Sequence, residues 1–221
     1  DGSNDPADAD WGPFGRPLFD EAASRCLKRV GVIDIGSNPV RMVVFDGAAR
    51  SPAYFFNEKV MCELGAGMAS TGRLNPEGRV RALSAMKRFH RLSQGMETGP
   101  LTAVATAAVR DAEDGREFCA DVLRETGIRI WVLDGEQEAA FSAQGVLLGW
   151  PGSYGLVCDM GGSSMELAEI DGGRVGRRMT SPLGPLKLRD LKGGKKGRKA
   201  QIKDHVAAMS DRLGEQRNRL F

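Results

Sequence analysis

The chain has 221 residues, 41% hydrophobic and 27% charged, which is ordinary for a globular protein and enough for one large domain or two small ones with a true core. No apolar run approaches the roughly 20 residues of a membrane span, and nothing resembles a signal peptide. The four cysteines (Cys26, Cys62, Cys119 and Cys158) have no paired spacing, which argues against a disulfide framework or zinc site and for a reducing cytoplasm. The net charge of +2 hides an asymmetry: residues 173–221 hold 14 Lys and Arg against 4 Asp and Glu, and the rest of the chain carries −8. That basic part suits a polyanion, or else residues 192–199 (KGGKKGRK) are a solvated lysine-rich loop.

Residues 1–27 open with DGSNDPADADWGPFGRP, a composition expected of a poorly ordered leader, with room for one short helix before Val30. VGVIDIG (30–36) then reads as a buried strand ending in an acid and a glycine turn, and VRMVVFDG (40–47) as the strand returning from it. YFFNEKVMCELG (54–65) is strand-like. Asn75-Pro76-Glu77 supplies an N-cap, a proline at the first position and an early acid for a helix over about residues 75–93. Met86 and Phe89 are its core-facing residues. A second βα unit spans 101–127, and a third spans 128–150, where a strand enters a helix across Asp134-Gly135. After Pro151-Gly152 the pattern returns to a strand, GLVCDMGG (155–162), and a hairpin, SSMELAEIDGG (163–173). A third strand is expected over 174–180 and a helix over 199–217. The order of elements is that of an α/β protein.

Placing Asp34 over Asp159 aligns VIDIGSNPVRMVVFDG with VCDMGGSSMELAEIDG without a gap, at an offset of 125 residues. A repeat at that distance points to two related domains, since solenoid periods are far shorter. Either hairpin alone could be a tight turn with Asp and Gly present for turn geometry. As a pair they have a chemistry suited to phosphate. A strand ending in Asp presents a carboxylate to a hard cation such as Mg²⁺. Glycine and small residues after it let backbone N–H groups approach an anion. Gly161, Gly162, Ser163 and Ser164 provide this in the second hairpin, and Gly36, Ser37 and Asn38 in the first.

At these residues the sequence resembles the exopolyphosphatase and guanosine-pentaphosphate phosphatase family, within the actin/hexokinase/Hsp70-like fold. VIDIGSNPVRMVVFD is similar to its first phosphate hairpin, VATAAVRDAEDGREF to its Ala-Thr…Arg segment, and LDGEQEAAFSAQGV to its catalytic-glutamate helix. CDMGGSSMEL is similar to its second hairpin and SPLGPLKL to the strand-turn after it. The resemblance implies duplicated actin-like (ribonuclease H-like) domains, with domain I at 28–149 and the beginning of domain II at 150–221. The second would be incomplete, leaving sheet edges that favour a partner or a homodimer.

The resemblance also implies hydrolysis of a terminal phosphoanhydride with Mg²⁺ or a similar divalent cation present, and with Glu138 as the general base. It implies Asp34, Asp159 and Glu166 around the metal, Arg41 and Arg110 on the phosphate chain, and Ser37, Asn38, Gly161, Gly162 and Ser163 as phosphate-binding residues. Glu136 and Glu138 could equally complement the dipole of their helix. Two departures stand out: Pro39 lies where the family usually has serine, and Gly161-Gly162-Ser163-Ser164 lies where it usually has three glycines before Ser or Thr.

Other chemistries lack their residues. His90 and His205 are solitary, no HExxH or GxxxxGK[ST] motif is present, and no GxSxG elbow supports a serine hydrolase. Two functions remain in view. One is an enzyme acting on inorganic polyphosphate or guanosine pentaphosphate, with a small-molecule kinase on the same fold as a weaker variant. The other is a non-catalytic sensor of phosphate chains. Neither membrane binding nor specific nucleic-acid binding is expected.

Overall fold

A computed structural model describes residues 29–47, 53–99, 101–189, 194–213 and 219–220. The expected leader and the end of the last helix (214–217) lie outside them.

Alternating and continuous apolar runs build two sheets. The first contains β1 (Val30–Ile35), β2 (Val40–Phe45), β3 (Tyr54–Val60), β4 (Leu101–Ala105) and β5 (Ile130–Val132), in the order β3-β2-β1-β4-β5. β1 pairs antiparallel with β2 and parallel with β4. Between β3 and β4 run a single turn, α1 (Met68–Thr71), and the long α2 (Pro76–Gly95). Asn75 caps α2 by accepting from the Gly78 N–H. Ala82, Ala85, Met86 and Phe89 of α2 join Ile33, Ile35, Val40, Met42 and Val44 in the main core.

The expected second βα unit holds two helices, α3 (Ala107–Asp111) and α4 (Gly115–Thr126). The chain doubles back between them so tightly that a Cβ on Gly115 would lie 1.9 Å from the Val109 carbonyl oxygen. Buried Asp114 holds this corner, accepting from the Leu74 N–H at 2.9 Å and from Arg79 Nη1 at 2.9 Å.

The second sheet contains β6 (Gly155–Met160), β7 (Met165–Asp171), β8 (Arg174–Ser181) and β9 (Arg219–Leu220), in the order β8-β7-β6-β9. This repeats β3-β2-β1-β4: β9 runs parallel to β6 as β4 does to β1. The 125-residue offset holds at the level of register, since Asp34 lies opposite Arg41 and Asp159 opposite Glu166.

Three helices complete this half: α5 (Gly135–Gly149), α6 (Pro185–Arg189) and α7 (Gly194–Leu213), which begins five residues before the expected helix. Residues two apart on a strand share a face. Val157, Ala168 and Ile170 meet Ala139 and Ala143 of α5. Met165, Leu167 and Met179 on the opposite face meet Met209 and Leu213 of α7. Hence α5, which follows the first sheet in sequence, packs on the second, and its face of that sheet also carries Asp159 and Glu166. Among the described residues no helix is long and apolar enough to cross a membrane.

Candidate active site

Both hairpin tips close in the same way. The Gly36 N–H donates to the Pro39 carbonyl at 3.2 Å, and the Gly161 N–H to the Ser164 carbonyl at 3.0 Å. The Ser37 carbonyl accepts from the Gly65 N–H at 3.1 Å, and its counterpart, Gly162, accepts from the Leu186 N–H at 2.8 Å. Asn38 Oδ1 accepts from the Glu63 N–H at 3.1 Å, so its side chain braces the first tip. The tips meet where the Ser37 and Ser163 hydroxyls lie 2.6 Å apart, both buried. A cavity of about 660 Å³ opens beside them, lined by both hairpins, Arg41, Glu138, Ser142 and Asp159.

Asp34 and Asp159 open onto this cavity. The Asp34 carboxyl is raised above its usual range by the surrounding protein and then by the Asp159 charge, with Arg41 opposing. The Arg41 side chain is steadied by donation from Nε to Asn57 Oδ1 at 3.0 Å. Asp159 Oδ2 accepts from Ser142 Oγ at 2.6 Å.

Glu138 lies one helical turn before Ser142 on α5, whose start is fixed by a capping box between Asp134 and Gln137. Its Oε2 accepts from Arg110 Nη1 at 3.1 Å, and the same nitrogen donates to the Leu133 carbonyl at 3.1 Å. Burial, then the Glu166 charge, lift the Glu138 carboxyl to about 7; Arg110 opposes through its hydrogen bond and charge, and Asp159 adds to the rise. Glu166 is only 1% exposed. Its Oε1 accepts from Thr180 Oγ1 at 2.8 Å, while its Oε2 is buried without a hydrogen-bond partner. Burial raises Glu166 as well, against the Thr180 and Ser164 hydroxyls.

The raised Glu138 carboxyl has a measurable consequence. The folded protein binds this proton more tightly than the unfolded chain, so the stability it contributes is complete below about pH 4.5 and is lost as pH rises through about 7. Glu138→Gln is expected to match wild type at low pH and to exceed its stability by about 2–3 kcal/mol above pH 7. Urea unfolding of both proteins across this range measures it, and a gap that stayed constant with pH would contradict the raised carboxyl.

The structure therefore gathers Asp34, Ser37, Asn38, Arg41, Glu138, Asp159, Gly161, Gly162 and Ser163 around one cavity. Arg110 and Glu166 stand just behind it, in contact with or electrostatically coupled to Glu138. Two residues beside Asp159 and Glu166 are not among those expected from sequence: Ser142 and Thr180. Ser142 had a signal in its spacing of four from Glu138. Thr180 had one only in tertiary structure, as the residue paired with Glu166 across β7 and β8.

The carboxylates at the cavity have the character of a cation site. Three acids, Asp34, Glu138 and Glu166, are each raised by the surrounding protein and by a neighbouring carboxylate charge, and Glu166 keeps an orphaned buried oxygen, which is the donor chemistry a divalent cation relieves. Among the described residues, no three His, Cys, Asp or Glu side chains converge on a single ligation point. The set therefore fits an ion held by one or two carboxylates, with water and substrate oxygens completing its shell, as Mg²⁺ commonly is.

Two β-hairpins of one design, related by an internal repeat and facing across an acidic cleft, define an actin-like α/β protein. The chain belongs to the Ppx/GppA phosphatase family, whose model matches residues 43–208. It is 32% identical to exopolyphosphatase 1 of Mycobacterium tuberculosis over 143 residues, covering 63% of this chain and 42% of that protein. It is 34% identical to exopolyphosphatase 2 of the same species over 152 residues, covering 64% and 48%. The chain thus spans about half the length of these curated relatives. Among solved structures, an exopolyphosphatase from Cytophaga hutchinsonii superposes with a TM-score of 0.72 at 26% identity, covering 84% of this chain and 60% of that one. The Aquifex aeolicus member of the Ppx/GppA family gives 0.68 at 26% identity, covering 85% and 62%.

Proposed function

We propose that this chain forms the cleft of a phosphohydrolase that removes the terminal phosphate of inorganic polyphosphate or of guanosine pentaphosphate, between the part built on the first sheet and the part built on the second. The observation that carries this is Glu138: a carboxylate with a raised pKa, held by an arginine, on a cavity lined by both hairpins. A general base works best with a pKa near the working pH, and about 7 meets that condition. Once ionised, Glu138 takes a proton from a water molecule as that water attacks the terminal phosphorus, and the bridging P–O bond breaks so that orthophosphate parts from the shortened chain.

In this reading Ser37, Asn38 and the backbone of Gly162 and Ser163 would donate to phosphate oxygens, Gly161, whose N–H closes the hairpin tip on Ser164, would shape the turn that lets the chain approach, and Arg41 and Arg110 would neutralise the charge. Phosphoryl transfer depends mainly on such positioning and charge neutralisation. Of the three acids, Asp34 and Asp159 on the cavity would hold Mg²⁺, with Glu166 standing behind them, and the ion when bound supplies positive charge against the phosphate oxygens. Orthophosphate release from long-chain polyphosphate and from guanosine pentaphosphate, with Mg²⁺ and with chelator, tests the reading and ranks the substrates. Release from neither by folded protein would overturn it.

A sensor reading draws on one observation: the Ser37 and Ser163 hydroxyls bond to each other, and the Pro39 position offers no N–H. It predicts tight polyphosphate binding with no release.

The basic residues of α7 (Lys195, Lys196, Arg198, Lys199 and Lys203) favour a long polyanion over a nucleotide. If about four phosphates are neutralised, affinity for long chains falls roughly 50-fold between 50 and 200 mM salt, by analogy with single-stranded nucleic acids. Fluorescence titration at several salt concentrations measures the slope, and a flat response would remove α7 from substrate binding.

A further inference from the structure

The second hairpin is linked to Glu138 by a line of charged groups, of which the phosphohydrolase reading uses Arg110 and leaves Lys187 and Asp111 without a part. α6 is locked to that hairpin, because Leu186 donates to the Gly162 carbonyl and Gly184 lies against the Ser163–Ser164 backbone. From α6, Lys187 Nζ reaches across to Asp111 Oδ2 on α3, at 2.7 Å. The other Asp111 oxygen accepts from Arg110 Nε at 3.2 Å, and Arg110 Nη1 donates to Glu138 Oε2 at 3.1 Å. Burial deepens along this line, from about a third exposed at Lys187 and Asp111 to 22% at Arg110 and 14% at Glu138.

We propose that Lys187 is a positioning residue: by holding Asp111, it keeps the Arg110 guanidinium directed at Glu138 and makes that alignment depend on the seating of the second hairpin. Asp111 sits beside Arg110 in sequence and competes with Glu138 for the same guanidinium. With Lys187 in place, one Asp111 oxygen is occupied and the other takes only Nε. Without Lys187, both oxygens are free to take Arg110 in a two-pronged pair, the geometry arginine and carboxylate favour, and Nη1 is drawn off Glu138. A small displacement of a charged group beside the reacting centre is enough to cost turnover.

The inference rests on Glu138 acting as the base, so the test carries one readout that does not need turnover. Lys187→Met is expected to lower kcat on polyphosphate about 10-fold with KM changed less than about twofold, and Lys187→Arg to restore it. Adding Asp111→Asn to Lys187→Met should recover most of the loss, because the competing charge is gone. In parallel, the Arg110 Nε–H resonance, assigned by its loss in Arg110→Lys, should shift in Lys187→Met and return in the double variant. An unshifted resonance, or a double variant no better than the single one, would overturn the proposal. So would a rise in KM at constant kcat, which would make Lys187 a substrate contact. If the wild type releases no phosphate, the hydrolase reading fails and the resonance alone decides the role of Lys187.

Discussion

Glu138→Gln is expected to lower kcat for phosphate release by about 10²–10⁴ while leaving polyphosphate affinity within about threefold of wild type. Glutamine keeps the size of the side chain, and its carbonyl oxygen can still accept from Arg110 Nη1, so the α5 start and the cavity wall are preserved. It loses the capacity to take a proton from water. In wild type the same carboxyl gives the pH dependence its direction: the base is inactive when protonated, so activity falls as pH drops through about 7. Steady-state kinetics together with direct binding measurements distinguish the outcomes. An equal fall in affinity would mean that Glu138 holds the site together, and an unchanged kcat would remove it as the base.

Gly184→Ala is expected to have the largest structural effect near the site. A Cβ at this position would lie 2.3 Å from the Ser163 carbonyl carbon, 2.4 Å from the Ser164 nitrogen and 2.5 Å from the Gly162 oxygen. All three are backbone atoms of the second hairpin, so no side-chain rotation relieves the overlap. Either the turn after β8 or the hairpin must move, at a cost of about 2–3 kcal/mol for an overpacked site. Moving the hairpin also breaks the Ser37–Ser163 contact and the Leu186–Gly162 bond, so polyphosphate affinity should fall at least about 10-fold in protein that remains folded. Urea unfolding and a binding titration read the two effects. Unchanged values in both would mean that the hairpin and α6 are not tightly coupled.

Much of the architecture was legible because it is written in local pattern twice. The Asp-Gly hairpins at 34 and 159 share a gap-free spacing, and the sheets reproduce it residue for residue in register. The α2 start was legible from Asn75-Pro76, and the α5 start from Asp134-Gly135, since caps act over one turn. What local pattern does not encode is contact between distant segments. The break between α3 and α4 follows from Asp114 receiving Leu74 and Arg79, which lie 40 and 35 residues earlier. β9 is two residues long, too short for any periodicity, and is defined by pairing with β6. The packing of α5 on the second sheet depends on Ala139 and Ala143 meeting Val157, Ala168 and Ile170, small contacts that leave no strong amphipathic stripe. The lines from Lys187 to Arg110 and from Thr180 to Glu166 are likewise tertiary.

The most direct test of the central claim is oxygen exchange in water enriched in ¹⁸O, with long-chain polyphosphate and Mg²⁺ under single-turnover conditions. A cleft in which Glu138 activates water against the terminal phosphorus should place one ¹⁸O in each released orthophosphate, and Glu138→Gln should release almost none. Folded wild-type protein that binds polyphosphate yet releases no orthophosphate, or releases it without the label, would contradict the account.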